Sequence, residues 1–285
     1  MNNEVKKSFF NSTFKWAAIS FTCFAMFVLL VLIISLGITG AARLGLDFLL
    51  NLPSRKPEQA GIYTAWIGSL WVLITTLLVA FPVGVGAGIY LEEYSKKNWL
   101  TNMIEINISN LAGVPSIIYG LLGLELFVRY MGLGQSILAG SLTLALLILP
   151  VIIVSTREAI KTVPNTIREA SYALGASKWQ TISMSVIPGS FGGILTGIIL
   201  ALSRAIGETA PLIVTGALTY VPFIPKSIFD SYTVLPIQIF NWTSRPQQGF
   251  VINAAAAIIV LLVLTFLMNA AAIYLRNRWQ KQVRW

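Results

Sequence analysis

Six stretches of this chain, near 16–39, 64–91, 108–131, 136–157, 191–218 and 250–275, are apolar for long enough to cross a lipid bilayer. Nothing else constrains the fold as tightly. A hydrocarbon core takes about 20 helical residues to span. Within it every backbone N–H and C=O must find a partner inside the protein, so each stretch is expected to be a helix. Only 11% of the 285 residues are charged, against about a quarter in soluble domains. The expected fold class is therefore all-α integral membrane, with six transmembrane helices forming one domain over 16–278. Tails at 1–15 and 279–285 flank it. Lys6, Lys7 and Lys15 precede the first stretch as they would in a signal peptide. Its apolar run is too long for one, which makes it a retained span.

Basic residues set the orientation. With the N-terminus in the cytoplasm, the inner segments carry Lys6, Lys7, Lys15, Lys96, Lys97, Arg157, Lys161, Arg168, Lys178, Arg276, Arg278, Lys281 and Arg284. The outer segments carry Arg43, Arg55, Lys56, Arg129, Lys226 and Arg245. The bias predicts N-in and C-in. The net charge of +9 is thus spent on topology and on anionic lipid headgroups, with no basic stripe for nucleic acid. The single Cys23 lies in the first span, and there is no histidine. A disulfide framework, a His-based catalytic triad and a Cys/His metal site are excluded.

Between the fourth and fifth stretches lies a polar island, TIREASYALGASKWQTISMSVIP, residues 166–188. Thr166 with Glu169, and Ser177 with Gln180, each read as a capping box that opens a helix. Gly175 between them supplies a left-handed stop. The pattern predicts two short helices joined by a sharp turn on the cytoplasmic face, a knob offered to a partner.

Two features lie inside the membrane. Gly84 and Gly88, Gly193 and Gly197, and Gly113, Gly120 and Gly123 predict close packing of spans two, five and three, while Pro82, Pro115, Pro150 and Pro211 are candidate kinks. Arg204 and Glu208 stand four apart near the middle of the fifth stretch, which puts them on one helix face. An unpaired charge there costs about 3 kcal/mol on insertion scales, so intramembrane charges by default mark a transport route. Arg204 is the candidate anion contact and Glu208 its holder, with Ser203, Thr209 and Thr215 as nearby hydroxyls. Either that, or the pair only neutralises itself in the bundle. Glu125 and Arg129, near the outer end of span three, read as an anchor whose side chains reach water. The outer loop 219–249, with Tyr220, Phe223, Phe229, Tyr232, Phe240 and Trp242, is either an aromatic belt or a short helix and loop that receive an extracytoplasmic partner.

No G-x-x-x-x-G-K-[ST] occurs, so no phosphate-cradling loop for ATP is present, and no catalytic residues or cofactor are expected. A pump of this kind draws its energy from another polypeptide. Residues 169–188 resemble the EAA loop of binding-protein-dependent ABC importers through Glu169, Ala170, Gly175 and Pro188. Ser171, Ser185 and Ile187 depart from the pattern while its spacing stays intact. YLEEY (90–94), GVPSIIYGLLGL (113–124), SRAIGETAPL (203–212) and the closing segment 235–278 look like a PstA-type phosphate permease.

That resemblance implies a type I ABC importer permease fold in the bacterial cytoplasmic (inner) membrane. It implies a homologous PstC-type permease, a PstB-type ATPase dimer that binds the ATP, and a PstS-type phosphate-binding protein as partners. It places Glu169, Ala170, Gly175, Ser177 and Lys178 in a coupling helix seated on the ATPase, and Arg204, Glu208, Ser203 and Thr209 on the phosphate route. A permease for sulfate or molybdate, a transporter or channel that works without ATP, and a phosphate-sensing scaffold remain as alternatives.

Overall fold

The computed structural model describes residues 2–96, 98–217 and 220–280, with side chains from Thr13 to Trp279. The side chains of Lys6, Lys7, Lys97, Lys281 and Arg284 counted above, Leu218 at the end of the fifth stretch and the tail from 281 lie outside the described residues. In chain order the helices are α1 (Thr13–Arg43), α2 (Leu46–Leu50), α3 (Tyr63–Tyr94), α4 (Trp99–Leu111), α5 (Ser116–Tyr130) and α6 (Ile137–Lys161). There follow α7 (Asn165–Ala173), α8 (Lys178–Gly207), α9 (Ala210–Val214), α10 (Leu235–Thr243) and α11 (Gln248–Trp279). Five of these are long and apolar enough to cross a membrane alone. The α4–α5 pair makes a sixth crossing if its 104° bend is one broken span.

Two of the six apolar stretches are therefore discontinuous, and proline is the cause in both. The third stretch is not one helix. Pro115 disfavours helical backbone at Val114 and offers no N–H to the carbonyl of Leu111. That carbonyl is taken instead by the N–H of Val114 at 3.1 Å and the hydroxyl of Tyr119 at 2.9 Å. The fifth stretch ends early for the same reason. Pro211 leaves the Gly207 carbonyl without its helical donor, and Glu208 is already extended at ψ 127°. Pro82 and Pro150 remain inside α3 and α6.

The hub is α6, 61% buried over its apolar window where α3 and α8 are each 39%. The close packing expected of the glycine faces of spans two, three and five is present, and most of it is against span four. A Cβ on Gly84 would lie 2.6 Å from the Ile152 side chain, and one on Gly88 2.7 Å from Thr156. On the adjoining face of the same helix, Cβ atoms on Gly193 and Gly197 would lie 2.6 Å from Ala159 and 1.9 Å from Ser155 Oγ. Gly123 of α5 closes onto Thr143 of α6. Lipid supplies no hydrophobic drive for helix association, so such close approach, with its dispersion contacts, holds the bundle together. Gly120 instead meets Pro211, so the two broken spans touch near their breaks.

At the outer end α10 is tucked in. The N–H of Leu235 bonds Ser69 Oγ at 2.9 Å, and Trp242 lies between Phe48 and Phe250. Tyr232 and Trp242 are thus core residues, not an aromatic belt, while Tyr220, Phe223, Phe229 and Phe240 stay exposed. Arg43 ties α1 to this cap through Asn253 Oδ1 (3.1 Å) and the carbonyls of Glu58 (2.6 Å) and Ala60 (3.0 Å).

Gly197→Ala is expected to lower stability by about 1–3 kcal/mol, the scale of overpacking a tight contact. Ser155→Gly in the same chain should recover most of it, as read by thermal unfolding in detergent.

Candidate functional site

Arg204 sits in the last turn of α8, and Glu208 follows the helix end. They do not share a helix face, because the helix stops at Gly207. The pair forms all the same, with Arg204 Nε donating to Glu208 Oε1 at 3.3 Å. Their side chains are 38% and 17% exposed. Among the described residues Nε alone of the Arg204 guanidinium is engaged in a hydrogen bond. Its two terminal nitrogens keep four N–H donors in a flat fork that matches an oxyanion edge. Arg204 thus stands one turn before the break of the fifth stretch, and beyond that break Pro211 meets Gly120 of α5.

The neighbouring hydroxyls fall elsewhere. Ser203 Oγ is 2.8 Å from its own Ile199 carbonyl and 2.6 Å from Asn269 Oδ1 on α11, so its proton is committed to holding two helices together. Thr209 reaches only the Gly207 carbonyl, at 3.5 Å. Thr215 is buried and bonds back to Pro211 and Leu212. Arg204 and Glu208 are therefore brought together, and Ser203 and Thr215 are turned away. Asn269 is a residue that sequence reasoning missed, although an amide in the run LVLTFLMNAAA was a visible signal. Glu125 and Arg129 form an ion pair with both side chains well exposed.

At the other end of α8 the polar island folds into two helical limbs around a turn. Gly175 has φ +83°, and the N–H groups of Gly175 and Ala176 bond the carbonyls of Tyr172 (2.9 Å) and Ser171 (3.2 Å). This is the paired stop that satisfies the last carbonyls of a helix. A side chain at 175 would meet nothing within 4 Å, so backbone conformation alone demands glycine there. Ser177 and Gln180 form the reciprocal capping box that opens α8. The first expected capping box is absent. Pro164, pre-set near helical φ and lacking an N–H, opens α7, so Thr166 is already helical. Ser171 Oγ and Thr181 Oγ1, 2.9 Å apart, tie the limbs together.

Glu169, Ala170, Gly175, Ser177 and Lys178 are all exposed on this knob. Leu174 (89% exposed) and Trp179 (61%) stand beside them, an apolar tip on a polar segment. Exposed apolar side chains grouped on a polar segment are the composition of an interaction surface.

The chain matches the family model described as "Binding-protein-dependent transport system inner membrane component" over residues 80–281. It is 35% identical over 260 residues to a probable ABC transporter permease protein, YqgI, of Bacillus subtilis (strain 168), covering 86% of this chain and 88% of that one. It is 38% identical over 237 residues to the phosphate transport system permease protein PstA of Mycobacterium leprae (strain TN), covering 80% and 76%. Among solved structures it is similar to a bacterial alginate ABC transporter in complex with its pentasaccharide-bound periplasmic protein. There the TM-score is 0.68 and the identity 14%, with 96% of each chain covered. It is also similar to an inward-facing MetNI methionine ABC transporter, with TM-score 0.60 and 18% identity over 74% of this chain and 94% of that one. These two likenesses show the type I importer fold. The chain belongs to the binding-protein-dependent transport system inner membrane components, and is a multi-pass permease subunit of an ABC importer whose partners include an ATPase and a binding protein.

Proposed function

We propose that this permease carries inorganic phosphate. The supporting observation is Arg204: a guanidinium held by one nitrogen, with its fork free, in the last turn before the break of a discontinuous span. Phosphate is small, strongly hydrated and anionic, and a guanidinium stays charged at every physiological pH. Discontinuous helices in the membrane interior are the recurring setting of transport sites. One arginine makes a weak site, which suits a passage, since affinity resides in the binding protein. Relatives named as phosphate permeases, 31–38% identical over most of this chain, support the same cargo. The partners would then be a PstC-type sister permease, a PstB-type ATPase dimer and a PstS-type phosphate-binding protein. Glu208 holds the Arg204 stem at the helix end. Glu169, Ala170, Gly175, Ser177 and Lys178 form the surface that the ATPase grips.

The cycle follows from these parts. ATP closes the motor subunits, and their movement pulls the knob at Gly175. The spans then rearrange to expose Arg204 to the opposite side. Arg204 exchanges Glu208 for phosphate and releases it without ever binding it tightly.

Four outcomes test this reading. Arg204→Ala should lower phosphate uptake by at least about ten-fold, the scale of losing a hydrogen-bonding partner to a charged group, with the complex still assembled. Arg204→Lys, charged but without the fork, should lie between. Excess sulfate or molybdate should leave phosphate uptake by the intact complex unchanged; competition would move the cargo to another oxyanion. Gly175→Pro, which cannot adopt φ +83°, should abolish ATP-coupled uptake while membrane insertion is kept, and normal uptake would remove the loop from coupling.

A further inference from the structure

The YLEEY segment ends α3 as a π-helical turn, Tyr90–Tyr94, and nothing in the passage or the knob accounts for its charges. Its two carboxylates are not spent on solvent. Glu93, 8% exposed, accepts from Arg168 Nε at 3.1 Å and Nη2 at 2.7 Å. Arg168 lies in α7, the first limb of the knob. Its guanidinium also donates to the carbonyls of Val163 (2.6 Å) and Ile160 (3.2 Å), and to Asn165 Oδ1 at 3.3 Å. It therefore clasps the end of α6 and the start of α7 together and presents them to α3. Glu92 faces Arg157 of α6 at 3.5 Å, and Arg157 is held more tightly by Glu105 of α4 at 2.7 Å. Tyr94 completes the set: Lys178, the first residue of the second limb, stands 4.8 Å above its ring. One turn of α3 thus touches both limbs of the knob.

The way the knob is joined to the spans makes this contact consequential. The second limb runs directly into α8, and the first follows α6 after a three-residue turn. Both of those spans are moved by the knob through covalent chain. α3 has no such connection and receives motion from the knob through side chains. A buried carboxylate cannot be left unpaired without a large penalty, so Glu93 follows Arg168 wherever the loop carries it. A π turn is a local insertion into the helical ladder, a spacing frequent at functional sites. A second π turn, Ile182–Val186, occupies the matching place where the knob enters α8.

We propose that the Glu93–Arg168 pair is the positioning linkage through which the coupling knob drives α3, with the two π turns as the hinges on either side. The proposal rests on the coupling reading of the knob and is independent of the cargo. It makes Glu93 and Arg168 one mechanical unit, each useless without the other.

The test uses the whole complex in lipid nanodiscs, this chain with its sister permease and ATPase subunits. ATP hydrolysis is measured with and without phosphate-loaded binding protein, beside phosphate uptake in proteoliposomes; sulfate replaces phosphate if the wild-type complex imports that instead. Glu93→Gln and Arg168→Gln should each assemble and keep basal hydrolysis. Each should lose stimulation by the binding protein by about ten-fold, a typical size for coupling between sites. The double variant should be no worse than either single one, as for two residues acting through one contact. Stimulation at the wild-type level in either Gln variant, or losses that add in the double variant, overturns the proposal. Should the Gln variants fail to assemble, Arg168→Lys keeps the charge and loses the fork, and it must still uncouple; wild-type stimulation there is equally fatal. Gly175→Pro serves as the control. Uncoupling by Gly175→Pro but not by Glu93→Gln removes the linkage alone, whereas coupling intact in Gly175→Pro removes the coupling reading itself.

Discussion

In hydrocarbon no water is available to satisfy a backbone carbonyl, and the arrangement of this permease follows from where that demand is hardest to meet. Pro115 and Pro211 each remove the N–H that the carbonyl four residues earlier requires. At Leu111 the vacancy is filled by Tyr119, whose hydroxyl reaches back across the bend. At Gly207 the helix ends and the chain turns into α9. Two spans that hydropathy alone would draw as straight rods become broken ones, and they touch at Gly120 and Pro211. Arg204 stands in the last helical turn before the second of these breaks.

The remainder of the bundle exists to hold those breaks at a fixed distance. α6 is gripped on two sides by small-residue ridges, Gly84 and Gly88 from α3 and Gly193 and Gly197 from α8. Because each ridge leaves no room for a methyl group, α3 and α8 are keyed to α6 along these seams. The covalent continuity of α8 from Ser177 to Gly207 then links the cytoplasmic knob to Arg204 through one element. A displacement at Gly175 has a direct route to the guanidinium.

What was legible in the sequence divides along physical lines. Span number, the Gly175 stop and the Ser177–Gln180 capping box depend on local chemistry, and local chemistry is written in consecutive residues. The Thr166–Glu169 box obeyed the same pattern and did not form, because Pro164 two residues earlier is a stronger helix start. Arg204 and Glu208 were paired by spacing and do pair, though through a helix end in place of a helix face. Ser203 was read as a donor to the passage. Its actual partner, Asn269, is 66 residues away, and no local pattern encodes such a contact. The same holds for Glu93 and Arg168, 75 residues apart. Both were in plain view as charged residues beside apolar runs, but their pairing is a property of the folded bundle.

The two ion pairs that matter most differ in a way that fits their separate tasks. Glu93–Arg168 is nearly buried, is joined by two nitrogens on one carboxylate oxygen, and is backed by two carbonyls and a side-chain amide. Such a pair adds little net stability over an apolar alternative, yet breaking it is expensive, so its effect is to fix register. Arg204–Glu208 is more open to solvent and is joined by one nitrogen at 3.3 Å. A contact that long, at a helix end, can be exchanged for another anion with little loss. The roles proposed for them ask for both kinds: a pair that never lets go, to carry force, and a pair that lets go readily, to pass a cargo.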